Sequence, residues 1–199
     1  KSGGFTASHL RFGDKPIRST YLVGTPDFVA CHVPSYLTKY DMLAGIKPNG
    51  VFLLNSIWDE KETLNQLPVH MKKTLAEKNI SMYMINATQI AMDIGLGNRT
   101  NTIMQAAFFK VANVIPFELA VKKMKEFIIK SYGRKGEEII TMNNAAVDRG
   151  GDVVKVEIPK EWAKLNVEAE QEKAAKAVPE FIRSILEPVN ALKGDDLPV

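Results

Sequence analysis

Apolar residues form short continuous runs that alternate, along the chain, with longer segments in which they recur at helical spacing. The runs at 28–31, 51–55 and 80–85 predict strands, and the second is typical of a strand buried on both faces of a parallel sheet. Between and after these runs, amphipathic spacing and breaker residues predict helices. The predicted helices are at 36–43, 58–79 with a break at Pro68, 88–94, 99–111, 116–132, 137–149 and 179–186.

The first segment of the chain has a different pattern, in which polar and apolar residues alternate one by one. Residues 8–12 and 20–23 show this alternation and flank the turn-forming sequence Gly13-Asp14-Lys15-Pro16. The arrangement predicts a β-hairpin over 5–23.

The order of strands and helices indicates an α/β fold. It favours a three-layer, Rossmann-like domain with a mostly parallel sheet and right-handed crossovers over an all-α or all-β architecture. After 153–158 the amino-acid composition changes, and 168–176 is charged and rich in alanine. We therefore predict one domain over 1–165, followed over 166–199 by a charged helical extension and a linker to a next domain.

Composition is that of a globular protein without a strong overall field. Of the 199 residues 45% are hydrophobic, and 26 basic residues nearly balance 23 acidic ones, which gives no reason to expect nucleic acid or a membrane as a partner. No run approaches the roughly 20 apolar residues that span a bilayer. The single cysteine, Cys31, favours a reducing, cytoplasmic setting and excludes an iron–sulfur cluster held by this chain alone.

The sequence shows no clear arrangement of metal ligands or of a nucleophile with its base. The histidines His9, His32 and His70 lack the spacing of metal ligands, so structural roles are preferred for them. Cys31 and His32 are adjacent on a predicted strand end, where their side chains point to opposite faces and do not form a nucleophile–base pair. Buried packing is therefore the preferred role of Cys31.

Two segments that contain glycine are better candidates for binding. Lys1-Ser2-Gly3-Gly4 combines a cation, a hydroxyl and flexible amides that could cradle an anion, although a solvated loop explains it as well. Gly95-Leu96-Gly97-Asn98-Arg99 joins two predicted helices. With Asn98 as N-cap, a helix beginning at Arg99 would point free amides at a phosphate, although capping alone explains Asn98 almost as well. Neither segment by itself names a substrate.

The longer motifs resemble one protein family. The opening KSGGFTASHLRFG, residues 1–13, closely resembles a signature of the pyruvate:ferredoxin or pyruvate:flavodoxin oxidoreductases. It is far more specific than a generic glycine pattern, and the resemblance spans essentially the whole chain. Further stretches that look like this family in the expected order are 27–32, 50–56, 95–99, 106–110, 188–191 and 194–199.

Enzymes of this family oxidatively decarboxylate pyruvate with thiamine diphosphate, pass electrons through iron–sulfur clusters to ferredoxin or flavodoxin, and release acetyl-coenzyme A. The resemblance implies that this chain is their third, gamma-type domain, which lies over the active-site entrance and helps to hold coenzyme A. The resemblance assigns contacts with coenzyme A to Lys1, Ser2 and Asn98. With their neighbours, the predicted coenzyme A-binding residues are Lys1, Ser2, Gly3, Gly97, Asn98 and Arg99.

The same resemblance implies what other segments supply. The family's glycine-rich βα unit would precede Lys1. The chain does not begin with methionine, which agrees with the expectation that it is truncated at its start. Thiamine diphosphate, magnesium and the 4Fe–4S clusters would be held by other domains of the same polypeptide, so no catalytic residue is predicted here. The full enzyme is expected to be a cytoplasmic homodimer that reacts with ferredoxin or flavodoxin.

The residues leave two other functions open. A stand-alone Rossmann-like domain would bind a nucleotide at the 95–99 turn without help from other domains. A purely structural module would use its charged extension to dock neighbouring domains.

Overall fold

The computed structural model describes residues 6–18, 22–167, 179–190, 195 and 197. Within these residues, one sheet contains the strands β1 Phe28–Cys31, β2 Val51–Asn55, β3 Ser81–Ile85 and β4 Val154–Val156. The longer helices are α1 Glu60–Gln66, α2 Val69–Glu77, α3 Ala87–Asp93, α4 Asn101–Ala112, α5 Phe117–Tyr132 and α6 Glu137–Arg149. Short 3-10 turns lie at Pro34–Tyr36, Gly133–Lys135 and Lys160–Lys164, and a π-helical turn at Ile182–Leu186 continues into helix at Glu187–Asn190.

The sheet is mostly parallel, as the alternating pattern predicts. Its strands lie in the order β1-β2-β3-β4, with parallel pairing between the first three and antiparallel pairing between β3 and β4. The register places Phe52 at the centre of a row that runs from Val29 through Met82 to Val156. Because side chains alternate along each strand, this whole row faces one side of the sheet.

Two apolar cores cover the two faces of the sheet. Phe52 and Leu54 contribute to the first core, which also contains Leu67 at the end of α1 and Met71 and Leu75 of α2. On the opposite face, Leu53 packs into the second core, which is built from helices α3, α4 and α6. The members of the second core on these three helices are Ala87, Ile90, Ala91, Ile103, Met104, Ala107 and Ala146. This arrangement confirms the predicted three layers.

Helix α5 forms an outer layer of its own on the second face. Met124 and Ile128 of this helix contact Ala106 of α4 and Val147 of α6 in a third, smaller cluster. The opposite side of α5 is polar except for three exposed apolar residues. They are Leu119, Phe127 and Ile129.

Local residues explain where several helices begin. The Asp59 carboxylate caps α1 by accepting from the backbone N–H of Glu62 at 2.8 Å, and Asn86 caps α3 by accepting from Gln89 N–H at 2.9 Å. Pro68 separates α1 from α2 with an extended backbone, since proline cannot continue the hydrogen-bond ladder of α1. The predicted break is therefore confirmed.

The β-hairpin predicted over 5–23 is wrong for the part of it that the structure describes. Residues 6–18 and 22–27 belong to no strand, and Leu10 and Leu22 are 70% and 72% exposed. An isolated two-stranded hairpin is only marginally stable in water. Its alternating apolar side chains stabilise it only when they pack on a core. Here the segment is anchored by Phe12, which stacks on Phe108 with ring centroids 5.9 Å apart.

The helix predicted over 36–43 is also wrong. A 3-10 turn at Pro34–Tyr36 is followed by further turns, and Leu37 and Leu43 are buried in the first core. Two leucines six positions apart do not share a helix face, so the chain turns to bury both. Tertiary packing overrides the local pattern here.

The end of the domain follows a short fourth strand. Beyond β4, Trp162 in the Lys160–Lys164 turn packs against the first core, so the chain is part of the domain up to this point. The charged, alanine-rich segment 168–176 of the predicted extension lies outside the described residues, and the boundary near Leu165 stays a prediction. Among the described residues, no helix is both long and apolar enough to cross a membrane.

Phe52 tests whether the first core supports the sheet. Its side chain is 0% exposed at the centre of the row described above, so Phe52→Ala should lower the free energy of unfolding by about 3–5 kcal/mol. Urea unfolding followed by tryptophan fluorescence measures this, because Trp58 and Trp162 both pack against the first core. The matched control is Phe127→Ala on the exposed side of α5, for which we expect a change within about 0.5 kcal/mol. Equal effects of the two substitutions would contradict this description of the core.

Candidate functional site

The carboxyl ends of β1, β2 and β3 meet at one edge of the sheet, where ligands of open α/β folds usually bind. Asn55 ends β2 and is buried there. Its Nδ2 donates to the His32 backbone oxygen at 3.0 Å and to Thr88 Oγ1 at 3.2 Å, while its Oδ1 accepts from Ala87 N–H at 3.0 Å. Both amide donors are used inside the protein, so Asn55 holds the three strand ends together.

An apolar cleft of about 470 Å³, the edge cleft, lies beside these strand ends. It has no charged side chain in its lining, so a polyanionic ligand would meet no countercharge there. The cleft suits an apolar group of a ligand or of another polypeptide segment. Its lining residues are Val33, Pro34, Ser35, Leu37, Thr38, Ile57, Trp58 and Gln66.

The turn between α3 and α4 requires its two glycines. Gly95 and Gly97 have φ of +80° and +63°, a region that other residues seldom adopt. A Cβ on Gly95 would also come within 3.0 Å of Met142 Sδ. Because this turn continues beyond Gly97, the predicted N-cap at Asn98 is wrong: helix α4 begins at Asn101, and Thr100 is its N-cap.

Arg99 is oriented by the same turn. Its backbone N–H and its Nε both donate to the Leu96 carbonyl oxygen, at 3.2 and 3.1 Å. These bonds hold the arginine side chain beside the start of α4, next to a pocket of about 130 Å³ with mixed polar and apolar lining. We call it the Arg99 pocket. Its lining residues are Leu96, Arg99, Asn101, Thr102, Tyr132, Lys135, Ile139 and Asn143.

The opposite wall of the Arg99 pocket comes from the junction between α5 and α6. Lys135 lies in the 3-10 turn between these helices, with its Nζ 5.3 Å from the ring centroid of Tyr132. Asn143 on α6 is buried, donates from Nδ2 to the Ile139 carbonyl oxygen at 2.8 Å and accepts from Thr102 Oγ1 at 3.4 Å. The pocket is thus braced between α4 and α6.

Two cationic side chains, Arg99 and Lys135, line the Arg99 pocket. Within the described parts of the chain, the ion pairs involve other residues, and neither Arg99 nor Lys135 lies within ion-pair distance of a carboxylate. The first amides of α4 add the positive end of the helix dipole to the same side. The lining contains two cations and no carboxylate, so it suits an anion better than a cation.

The predicted site residues fall into two groups. Lys1, Ser2 and Gly3 lie outside the described residues. Gly97 and Asn98 are exposed in the turn that leads into the Arg99 pocket, and Arg99 itself lines it.

The sequence of this chain matches one known protein family. The sequence model of the family described as "Pyruvate ferredoxin/flavodoxin oxidoreductase" matches residues 1–153. The chain belongs to this family. It is 52% identical, over its whole length, to the pyruvate:ferredoxin oxidoreductase of Moorella thermoacetica and 50% identical to the pyruvate-flavodoxin oxidoreductase of Enterobacter agglomerans. It spans 17% of the length of each of these relatives.

A solved structure supports the fold of this pyruvate oxidoreductase family member. The pyruvate oxidoreductase subunit PORC of Thermotoga maritima superposes with a TM-score of 0.54 at 23% identity, over 68% of this chain and 67% of that one. This likeness agrees with the Rossmann-like α/β architecture described above.

Several pocket residues of this family domain were not found from the sequence. Lys135 and Asn143 reach Arg99 only through the packing of α4 against α6, which no local motif predicts, whereas Thr102 follows Arg99 closely in sequence, on the first turn of α4. The one usable signal is the Arg134-Lys135-Gly136 sequence between two predicted helices, which places cations in an exposed connection.

The metal groups implied for the family find no ligand set in the described residues. No group of three or more histidine, cysteine, aspartate and glutamate side chains is placed there to hold a metal ion. Cys31 is the chain's single cysteine, and its thiol is buried and donates to the Val33 carbonyl oxygen at 3.1 Å. A 4Fe–4S cluster takes several cysteine thiolates as ligands, which one buried thiol does not supply.

Cys31 should behave as a packing residue. Burial raises the pKa of its thiol to about 11, so the neutral thiol persists in the folded state at mildly alkaline pH, where an exposed thiol is partly ionised. We expect a disulfide reagent at that pH to modify Cys31 slowly in the folded chain and rapidly after denaturation. Fast stoichiometric modification of the folded chain would contradict the buried position of the thiol.

Proposed function

We propose that this chain is the coenzyme A-facing domain of a larger pyruvate:ferredoxin or pyruvate:flavodoxin oxidoreductase. The reaction converts pyruvate, coenzyme A and oxidised acceptor into acetyl-coenzyme A, carbon dioxide and reduced acceptor. Thiamine diphosphate, held by other domains in this proposal, supplies the decarboxylation chemistry. The residues of this chain bind coenzyme A and orient its thiol.

The observation that carries the proposal is the positive charge at the 95–99 turn. Coenzyme A is a polyanion with a pyrophosphate and a ribose phosphate. Arg99 and Lys135 line a pocket without carboxylate partners among the described residues, and guanidinium and ammonium groups are the usual phosphate ligands. Asn98, exposed at the rim, has both donors and an acceptor for the amides of the pantetheine arm.

Contacts with parts of coenzyme A far from its thiol can increase the rate of the reaction. Contacts with the phosphates fix one end of coenzyme A, so the pantetheine arm delivers its thiol to the reacting carbon as an intramolecular step. Binding energy from these remote contacts supports orientation at the reaction centre. Substitutions in this domain are therefore expected to change the use of coenzyme A rather than the binding of the thiamine cofactor.

The exposed apolar side chains support a place inside a larger assembly. Phe127 and Ile129 on α5 are 67% and 56% exposed, and Ile57 at the edge cleft is 56% exposed. Apolar groups at such positions are typical of surfaces that contact other domains. They also favour the second candidate, a module whose role is to join neighbouring domains, which is compatible with coenzyme A binding.

Asn98 and Lys1 test the proposal in the complete enzyme. Asn98→Ala and Lys1→Ala should each raise the coenzyme A concentration for half-maximal rate by about threefold to tenfold, the effect of losing a hydrogen bond or a charge contact. Steady-state kinetics with coenzyme A as the varied substrate measures this. Asn65→Ala is the matched control, because Asn65 is exposed on α1, on the other face of the sheet.

Unchanged coenzyme A kinetics in both variants would remove these residues from the site. An equal loss of thiamine diphosphate affinity would indicate a general structural effect. Neither result agrees with a coenzyme A-facing role.

The stand-alone nucleotide-binding alternative differs in what the chain does alone. Titration calorimetry of the 199-residue chain with coenzyme A should give weak or absent binding if other domains complete the pocket. Tight binding of a nucleotide by the chain alone would favour the alternative.

A further inference from the structure

We propose that residues 6–18, 22 and 23, which we call the arm, form a docking surface for another domain of the same longer polypeptide. The surface that docks on the arm is apolar and carries acidic groups at its rim. This inference rests on the part of the proposed function that places the chain in a larger enzyme, and it does not depend on coenzyme A as the ligand.

The two ends of the arm are joined by a hydrogen bond. The backbone N–H of Val23 donates to Nδ1 of His9 at 3.1 Å. Between these ends, the ring of Phe12 stacks on Phe108 of α4 with ring centroids 5.9 Å apart. The described residues of the arm belong to no strand or helix. The arm is therefore a surface loop with joined ends, a kind of loop that is frequently functional.

Large apolar side chains of the arm face solvent. Leu10 and Leu22 are 70% and 72% exposed. Each is the neighbour in sequence of one member of the His9–Val23 pair, so both leucines lie at the same end of the arm. Single exposed apolar residues are ordinary, whereas a group of them is typical of a surface that contacts another protein surface. The other large apolar side chains exposed on the arm are Phe12 and Ile17.

The arm also carries a positive net charge. Its cations Arg11, Lys15 and Arg18 outnumber its one carboxylate, that of Asp14. Lys15 and Arg18 are exposed, and neither forms an ion pair within the part of the chain that the structure describes. Cations beside exposed apolar groups are complementary to an apolar surface with carboxylates around it. The charge of the arm therefore favours an acidic partner.

The extent of the family match favours a partner within the same polypeptide. The arm belongs to the residues 1–153 that the family model matches. The chain spans only 17% of the length of the relatives from Moorella thermoacetica and Enterobacter agglomerans, so most of the surface that could cover the arm lies in parts of those proteins that this chain does not contain. Since the arm follows the predicted coenzyme A contacts Lys1, Ser2 and Gly3 in sequence, its docking would also restrict where these residues lie.

Limited proteolysis of the complete enzyme tests whether the arm is covered. Trypsin cuts after Arg11 and Arg18, but not after Lys15, which precedes proline. In the wild-type enzyme both bonds should be cut slowly, because the docked domain covers them. The double substitution Leu10→Asp with Leu22→Asp should release the arm and raise the rate of both cuts by about tenfold or more, since cutting follows the population of the open form. Mass spectrometry of the digest measures the rates.

The acidic character of the partner has its own test. Lys15→Glu should speed the cut after Arg11, because the reversed charge is repelled by carboxylates, and added salt should speed the same cut in the wild-type enzyme by screening the attraction. The matched controls are Met92→Asp on α3 and Lys61→Glu on α1, which place the same charges at exposed positions outside the arm. Both controls should leave the cut after Arg11 unchanged.

Several outcomes would overturn the proposal. Cutting of the wild-type arm as fast as in the double leucine variant would show that nothing covers it. Protection that requires added coenzyme A, or that increases with enzyme concentration, would make a ligand or a second copy the occupant instead. No effect of Lys15→Glu or of salt would contradict an acidic partner. The coenzyme A kinetics of Asn98→Ala do not depend on these results, so a failure of the docking surface is distinguishable from a failure of the proposed function.

Discussion

Burial of β2 on both faces is the constraint on which the rest of this structure depends. Phe52 and Leu54 point into one core and Leu53 into the other, so the strand is stable only when helices cover the sheet on both sides. Helices α1 and α2 cover one face, and α3, α4 and α6 cover the other. Asn55, at the end of the same strand, then joins the neighbouring strand ends through its amide.

The Arg99 pocket is a consequence of this layering. The second face of the sheet requires α4 and α6 to pack side by side, and the turns at their ends therefore come together. One turn carries Arg99 and the other carries Lys135, and Asn143 joins the two helices beneath them. The pocket is thus formed by connections that lie far apart in sequence, while the scaffold that positions them is apolar.

Much of this architecture could be predicted because its strands are continuous apolar runs and its longer helices have clear periodicity. The 51–55 strand, the break at Pro68 and the helices that became α5 and α6 follow from local residues alone. Local residues did not give the correct structure over 5–23 and 36–43. Whether a hairpin or a helix forms there depends on what the apolar residues pack against. Leu37 and Leu43 are buried without a helix, and Leu10 alternates with polar neighbours but is exposed.

The candidate site was predictable in part for a related reason. Glycines and an arginine in one turn are visible in the sequence, so this turn could be predicted as a candidate, whereas the exact start of α4 depends on how far the Gly97 turn continues. Lys135 and Asn143 line the pocket through helix packing, which local sequence does not encode. The ligand class is an expectation from the family resemblance, and Lys135 is seen beside Arg99 only in the structure.

A structure of the complete enzyme with coenzyme A bound tests the central claim most directly. The account predicts ligand density against the 95–99 turn, with a phosphate oxygen within hydrogen-bond distance of the Arg99 guanidinium. Coenzyme A bound at the thiamine site without any atom in contact with this domain would contradict it.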